Sequence, residues 1–252
     1  MEAAKAVIGD IYAFNEGESD RNPVCETLLH HLIETLQSTP GVDRIESQLL
    51  MFPAGGLNSP FLSRGFIAHP RLFMGCSLTS TNPGSQRAET RLPAGLRLLP
   101  WSDTYYAAAG DLIHRAYVGH VDSLINDQYR TVAGSLRFLH NIVRFPGCGI
   151  FDTRNSWLLR DERSGHIQGL ILASAVRPDV GHITQLCIAP ELRGHGLGRA
   201  LLHRCTAEFL RRRYRGISLT VTEQNREALA LYETYCFNPI HRFDAMVWNN
   251  SD

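Results

Sequence analysis

The stretch Ile183–Cys205, ITQLCIAPELRGHGLGRALLHRC, decides how the rest of the chain is to be read. Its first residues suit a strand, Pro190 marks a turn, and glycines stand at 194, 196 and 198. Leu197, Leu201, Cys205 and Phe209 then recur at every fourth position, the apolar stripe of a helix. Glycine loses more conformational freedom on folding than any other residue, so three in alternation imply a need for bare backbone. A strand that enters a helix through glycines makes an anion site. The first-turn N–H groups have no partner inside the helix, the dipole adds positive potential, and no Cβ bars the approach of a phosphate. Arg211, Arg212, Arg213 and Arg215 complement the dipole at the far end, where Gly216 is the expected stop.

The loop spacing separates the common phosphate binders. A Walker loop requires Gly-Lys-Ser/Thr, which is absent here. A dinucleotide fingerprint requires G-x-G-x-x-G, whereas this loop is G-x-G-x-G and follows three earlier strands. A nucleotide-dependent oxidoreductase is therefore disfavoured. Around the loop the chain predicts a short strand (GLRLLP), a helix (SDTYYAAAGDLIHRAY), one or two further helices to about Val143, and a hairpin turning at Ser164-Gly165. A strand over Gly181–Ala189, the loop helix, a strand (ISLTVT), a short helix (NREALALYETY) and one or two edge strands complete the order. This is an α/β chain with a mixed sheet and helices on both faces.

Arg193-Gly194-His195-Gly196-Leu197-Gly198 resembles the R/Q-x-x-G-x-G/A motif of the GNAT family of N-acetyltransferases, and TEQNREALALYETYCF resembles its second signature. The resemblance covers about residues 93–248 and includes the element order. It implies the GNAT fold, acetyl-CoA as cofactor and an amine acceptor. The pyrophosphate would lie on the N–H groups of Arg193, Gly194, His195, Gly196, Leu197, Gly198 and Arg199. The pantetheine arm would run beside Gln185, Leu186, Cys187 and Ile188, where two strands splay apart. Asn225 would contact the cofactor, a role compatible with capping the short helix, and Tyr232 would protonate the departing thiolate, with helix packing as its alternative. A phenol of ordinary pKa about 10 is protonated at neutral pH. His182 is a candidate base, with a satisfied, partly buried histidine or a water-based route as the alternatives. Simple alternation places His182, Thr184, Leu186 and Ile188 on one face of their strand. Tyr117, His120, Asp122, Asn126 and Tyr129 are candidates for lining the acceptor pocket, and Asp122 suits an amine. Cys236 replaces the glycine expected at the exit of the short helix, where positive φ is common.

Residues 1–76 echo the C-terminal half of this pattern at an offset of about 167–174 positions, which makes them a partial, degenerate GNAT-like copy joined by a linker over 77–92 to a catalytic domain over 93–252. In this copy NEGESDRNP replaces the phosphate loop. Glu16, Glu18 and Asp20 repel a pyrophosphate, and Arg21 does not offset them. Phe61 stands where Tyr232 stands and carries no hydroxyl. A half-fold needs cover for its sheet edge from the other domain, another subunit in a homodimer, or residues upstream. A regulatory acyl-CoA-binding module without turnover is the alternative function.

Composition narrows the partners. The 252 residues carry 25 basic and 25 acidic side chains, so bulk charge gives no reason to invoke nucleic acid or an anionic membrane. No apolar run reaches the ~18 residues of a membrane span, and the first residues lack a signal-peptide pattern, so a cytoplasmic protein is expected. Six scattered cysteines show neither zinc spacing nor a disulfide framework, and no metal is expected.

Overall fold

A computed structural model describes residues 4–12, 23–78 and 92–250. The chain forms two compact units. The first comprises Met1–Phe73, Thr222–Gln224 and His241–Asp252, and the second Met74–Val221 and Asn225–Ile240.

In the first unit the order is β1 (Ala4–Ile8), α1 (Pro23–Ser38), β2 (Val42–Gln48), α2 (Asn58–Leu62) and β3 (Ile67–Ser77), whose last residues belong to the second unit. β1 and β2 are parallel. The C-terminal strand β10 (Asn238–Asn249) runs antiparallel to β2 from Ala245↔Gln48 to Asn249↔Arg44. Leu29 and Ile33 of α1 pack with Ile45, Phe61, Phe66 and Met246 in one apolar cluster. The sequence led us to expect one or two edge strands at the C-terminus; instead a single strand lies between β2 and β3 in the sheet order. Residues from His241 onward group with the first unit, consistent with this ladder. Residues 79–91 of the expected linker, and Glu16, Glu18, Asp20 and Arg21, lie outside the described residues.

The second unit holds β4 (Leu96–Pro100), α3 (Tyr106–Tyr117), α4 (Asp122–Ile125), α5 (Val132–Arg144), β5 (Ile150–Phe151), β6 (Trp157–Asp161), β7 (Ile167–Arg177), β8 (Val180–Ile188), α6 (Leu197–Arg211), β9 (Gly216–Thr222) and α7 (Arg226–Glu233). Its strands run in the order β9-β8-β7-β6-β4, with β5 paired to β7. All these neighbours are antiparallel except the parallel pair β8–β9. The mixed sheet and flanking helices are those expected from the sequence. Helix starts are chemically marked: the Thr131 hydroxyl accepts from Gly134 N–H at 2.9 Å, and the Asn225 side chain accepts from Ala228 N–H at 3.2 Å. On one sheet face Leu112, Ile113 and Leu139 pack with Leu158, Leu170, Leu172 and Cys187. On the other lies α6, with Leu197, Leu201, Cys205 and Phe209 all buried. Gly181 permits this approach, since a Cβ there would stand 2.4 Å from the Phe209 ring.

The stop of α6 differs from expectation. Arg213, at φ 63°, takes the left-handed position, and Tyr214 N–H closes onto Phe209 O at 3.1 Å. Gly216 instead opens β9. Edge-to-face packing of Phe209 on Tyr214, with ring centroids 4.8 Å apart, holds the non-glycine stop in place.

Candidate functional site

The site begins where two parallel strands part. β8 and β9 pair only from Val180↔Gly216 to Ile183↔Leu219. Gln185, Leu186, Cys187 and Ile188 continue β8 without a β9 partner, while their other edge stays paired with β7 through Leu172, Ile171, Leu170 and Gly169. One edge of this segment is thus left to whatever enters the opening.

A bulge sits at the same place. Gln185 pairs with Leu172 and Ile183 with Ala173, so Thr184 is the extra residue, and its hydroxyl donates to Leu172 O at 3.1 Å. An inserted residue reverses the alternation beyond it. His182, opposite Ser174, therefore shares a face with Gln185, opposite Leu172, and not with Leu186 and Ile188. This corrects the face assignment drawn from simple alternation.

Beyond β8 the chain makes a turn at Pro190–Leu192 and enters the glycine loop. Gly194 and Gly196 take left-handed φ values of 77° and 75°, which side chains other than glycine's rarely adopt. Gly196 is the N-cap of α6, with no side-chain cap on the first-turn N–H groups. A Cβ on Gly194 would meet nothing within 4 Å, and one on Gly198 would only touch Leu231 and Ile188. His195 is exposed, and its Nδ1–H donates to Arg193 O at 2.8 Å. Leu197 is buried and packs under the helix, so it offers the site its backbone alone, while Arg199 is exposed and its carbonyl accepts from the Tyr235 hydroxyl at 3.3 Å. Arg193 donates to the carbonyl of Ala116 in the last turn of α3, which fastens the loop to that helix.

Four of the five acceptor-side candidates come together beside this opening. The Tyr117 and Tyr129 rings stack with centroids 4.1 Å apart, and His120 meets Tyr117 edge-on at 5.1 Å. His120 Nδ1 accepts from the Asp122 backbone N–H at 3.1 Å, and the Asp122 carboxylate lies 3.6 Å from the same nitrogen. Burial holds the His120 pKa below its ordinary value, against the pull of Asp122 and Glu227, with Arg193 adding to the depression. The Asn126 side chain accepts from Gln128 N–H at 3.1 Å and caps the turn Asp127–Arg130. The Tyr129 hydroxyl donates to Gln185 Oε1 at 3.4 Å.

Tyr232, on α7, is buried, and its hydroxyl is held well above the ordinary phenol pKa by burial, by the charge of Asp122 and by Cys187. The Tyr117 phenol is raised by burial and by Tyr129, Asp122, Cys187 and Tyr232. Burial likewise pushes the Cys187 thiol up to about 12, so it stays protonated and unreactive. Asn225 caps α7, leaving any contact with a cofactor as a second duty. His182 stands toward the paired end of β8, where its Nδ1 bonds the Ser218 hydroxyl at 2.9 Å, and burial lowers its pKa to about 4. Sequence reasoning missed Ser218 as that partner, the α3 anchor for Arg193 and the bulge at Thr184. All three depend on pairings that no local pattern displays.

Comparison with known proteins gives these features a family. Residues 115–236 match the family model of the Acetyltransferase (GNAT) family. A mycothiol acetyltransferase from Beutenbergia cavernae is 32% identical over 90 residues, which span 36% of this chain and 30% of that protein. Among solved structures, a GCN5-related N-acetyltransferase from Sphaerobacter thermophilus superposes with a TM-score of 0.59 at 17% identity, covering 82% of this chain and 59% of that one. A tandem GNAT protein from the clavulanic acid biosynthesis pathway gives 0.59 at 18%, covering 92% and 72%. These likenesses concern the fold. The matched segment, 115–236, is the one that carries the strand opening, the glycine loop and Tyr232.

Proposed function

We propose that the chain is an acetyl-CoA-dependent N-acetyltransferase that transfers acetyl to a primary amine by direct attack with both substrates bound. The observation that carries this reading is the parting of β8 and β9 after Ile183↔Leu219, beside an α6 N-terminus reached through left-handed glycines. An extended amide-bearing arm fits the open edge of Gln185–Ile188 as an added half-strand. A pyrophosphate fits the uncapped first turn of α6. The relative named as a mycothiol acetyltransferase supports a small molecule as acceptor.

Transfer breaks the thioester C–S bond and forms an amide C–N bond. The amine nitrogen must lose a proton and the departing thiolate can gain one. Tyr232 supplies the second. Its raised pKa keeps the hydroxyl protonated at any working pH, and the influence of Cys187, a residue of the opened strand, on that hydroxyl supports this role. Asp122 attracts the ammonium form of the acceptor to the same pocket. Burial leaves His182 neutral with a pKa about 4, too weak a base to deprotonate an amine near neutrality, so its role is to tie β8 to β9 through Ser218. Water is then the route for the first proton, with positioning as the main contribution of the protein.

The first unit is a second, non-catalytic half-copy of the fold. Its α2 ends as α7 does. Ser63 and Thr234 share φ −64° and ψ −17°, and Phe66 N–H bonds Phe61 O at 3.1 Å as Phe237 N–H bonds Tyr232 O at 3.2 Å. Phe61 therefore occupies the position of Tyr232 without a proton to give. Isothermal titration with acetyl-CoA, with NADH as control, tests the whole reading. Saturable binding of acetyl-CoA alone, one site per chain, followed by amine-dependent release of CoA, is the expected result; absence of binding overturns it.

A further inference from the structure

Gln185 is the polar residue of the opened strand whose surroundings are incomplete. Its side chain is 4% exposed, and Nε2 is buried without a hydrogen-bond partner of ordinary geometry among the described residues. The amide also approaches the Cys187 thiol, a weak acceptor at best. At the other end of the amide the Tyr129 hydroxyl donates to Oε1 at 3.4 Å, so Nε2 has only the weak Cys187 acceptor beside it. Tyr129 is itself held by its stack on Tyr117 and edge contact with Phe138, with centroids 4.1 and 4.9 Å apart. An unmade buried hydrogen bond is costly, so a donor held this way favours any ligand that satisfies it.

We infer that Gln185 is a specificity residue that donates a hydrogen bond to an oxygen of the acceptor, so that the preferred acceptor is an amine with a carbonyl or hydroxyl oxygen close to it rather than a plain alkylamine. The inference rests on the acetyltransferase reading above. Asp122 favours the cationic amine, and the Gln185 amide reads the neighbouring oxygen. The Tyr117–Tyr129 stack links the two groups, since Asp122 acts on the Tyr117 phenol and the Tyr129 hydroxyl bonds Gln185. A site built to hydrogen-bond one group rejects the analogue lacking it, because the donor is then buried unpaired. Tyr129 is a positioning residue, acting through Oε1.

The test compares glycinamide with propylamine as acceptors, for the full chain and for Gln185→Leu, Gln185→Met and Tyr129→Phe. The change from wild type to variant for each amine cancels their different intrinsic reactivities. Gln185→Leu and Gln185→Met should lower the ratio of kcat/KM for glycinamide to kcat/KM for propylamine by roughly 10- to 100-fold. Tyr129→Phe keeps the ring stack and should give a smaller loss in the same direction, which a structural role alone would not confine to one amine. Acetyl-CoA affinity, measured by titration, serves as the folding control, and the Met variant stands in if Leu disturbs the strand. Equal losses for both amines, or none for either, in a variant that still binds acetyl-CoA overturn the inference and leave the transferase reading intact. CoA release with neither amine nor with a hydroxyl-bearing one such as ethanolamine overturns it from the other side, and lack of acetyl-CoA binding by wild type removes the reading beneath it.

Discussion

Ile183 and Leu219 are the last residues that pair β8 with β9. Three positions further, β8 is still bonded to β7 but borders an opening, and the chain then turns into the left-handed glycines before α6. Parallel pairing, strand opening and helix N-terminus are thus compressed into the stretch Ile183–Leu197. Gly196→Asp tests the anion site. Aspartate tolerates left-handed φ better than most residues and is a favourable N-cap, so the fold should survive with a melting temperature within a few degrees of wild type. Its carboxylate would oppose the pyrophosphate. Acetyl-CoA affinity should fall at least ~10-fold, equivalent to about 1.4 kcal/mol. Unchanged affinity in titration calorimetry rejects the loop as the phosphate site.

Tyr232→Phe removes only a hydroxyl, and Phe61 shows that phenylalanine is accepted at the same point of the same helix-to-strand turn. The variant should fold and bind acetyl-CoA as wild type does, while kcat falls about 10²-fold, the lower range for loss of a general acid. The raised phenol pKa has a consequence for the pH profile. An acid must stay protonated to act, so activity controlled by Tyr232 should show no alkaline decline up to pH 10. A decline centred below that value identifies another group as the acid.

The second unit was legible because its signals are local. The hairpin glycine, the helix stripe from Leu197 to Phe209 and the cap at Asn225 each concern neighbours along the chain. The site was legible in its composition but less so in its arrangement. Tyr117, His120, Asp122 and Tyr129 do gather, yet Asn126 serves a turn, and His182 changed faces because Thr184 is inserted into the ladder. A bulge leaves no compositional trace in a sequence whose flanking residues remain good strand formers. The C-terminal strand was misjudged for a related reason: its partner, β2, lies some 200 positions away, as Asn249↔Arg44 illustrates.

Cys236, standing where a glycine is usual, takes a left-handed backbone at the α7 exit. It has φ 61°, whereas Gly65 holds the matching place after α2 at φ 80°. A left-handed residue with a Cβ costs roughly 1 kcal/mol that glycine avoids. Cys236→Gly should therefore raise the melting temperature by about 2–4 °C without altering kcat/KM. A lower melting temperature would show that the Cys236 side chain contributes packing that outweighs the strain.

His182 offers a test in which stability and catalysis give separate answers. Its pKa falls from 6.5 to about 4 on folding, because burial disfavours the charged ring. Between these values the unfolded chain binds the extra proton, so stability rises with pH across the window. The contribution is intact above pH 6.5 and is lost progressively as pH falls toward 4, by up to roughly 3 kcal/mol, less where solvent reaches the ring. In denaturant titrations, His182→Asn should retain a bond to Ser218 and flatten this part of the stability curve relative to wild type. Its kcat/KM above pH 6 should remain within about threefold of wild type, since a neutral ring with so low a pKa has no proton to exchange there. A variant that instead loses an acidic limb near pH 7, with stability unchanged, would restore His182 as the base that accepts the amine proton.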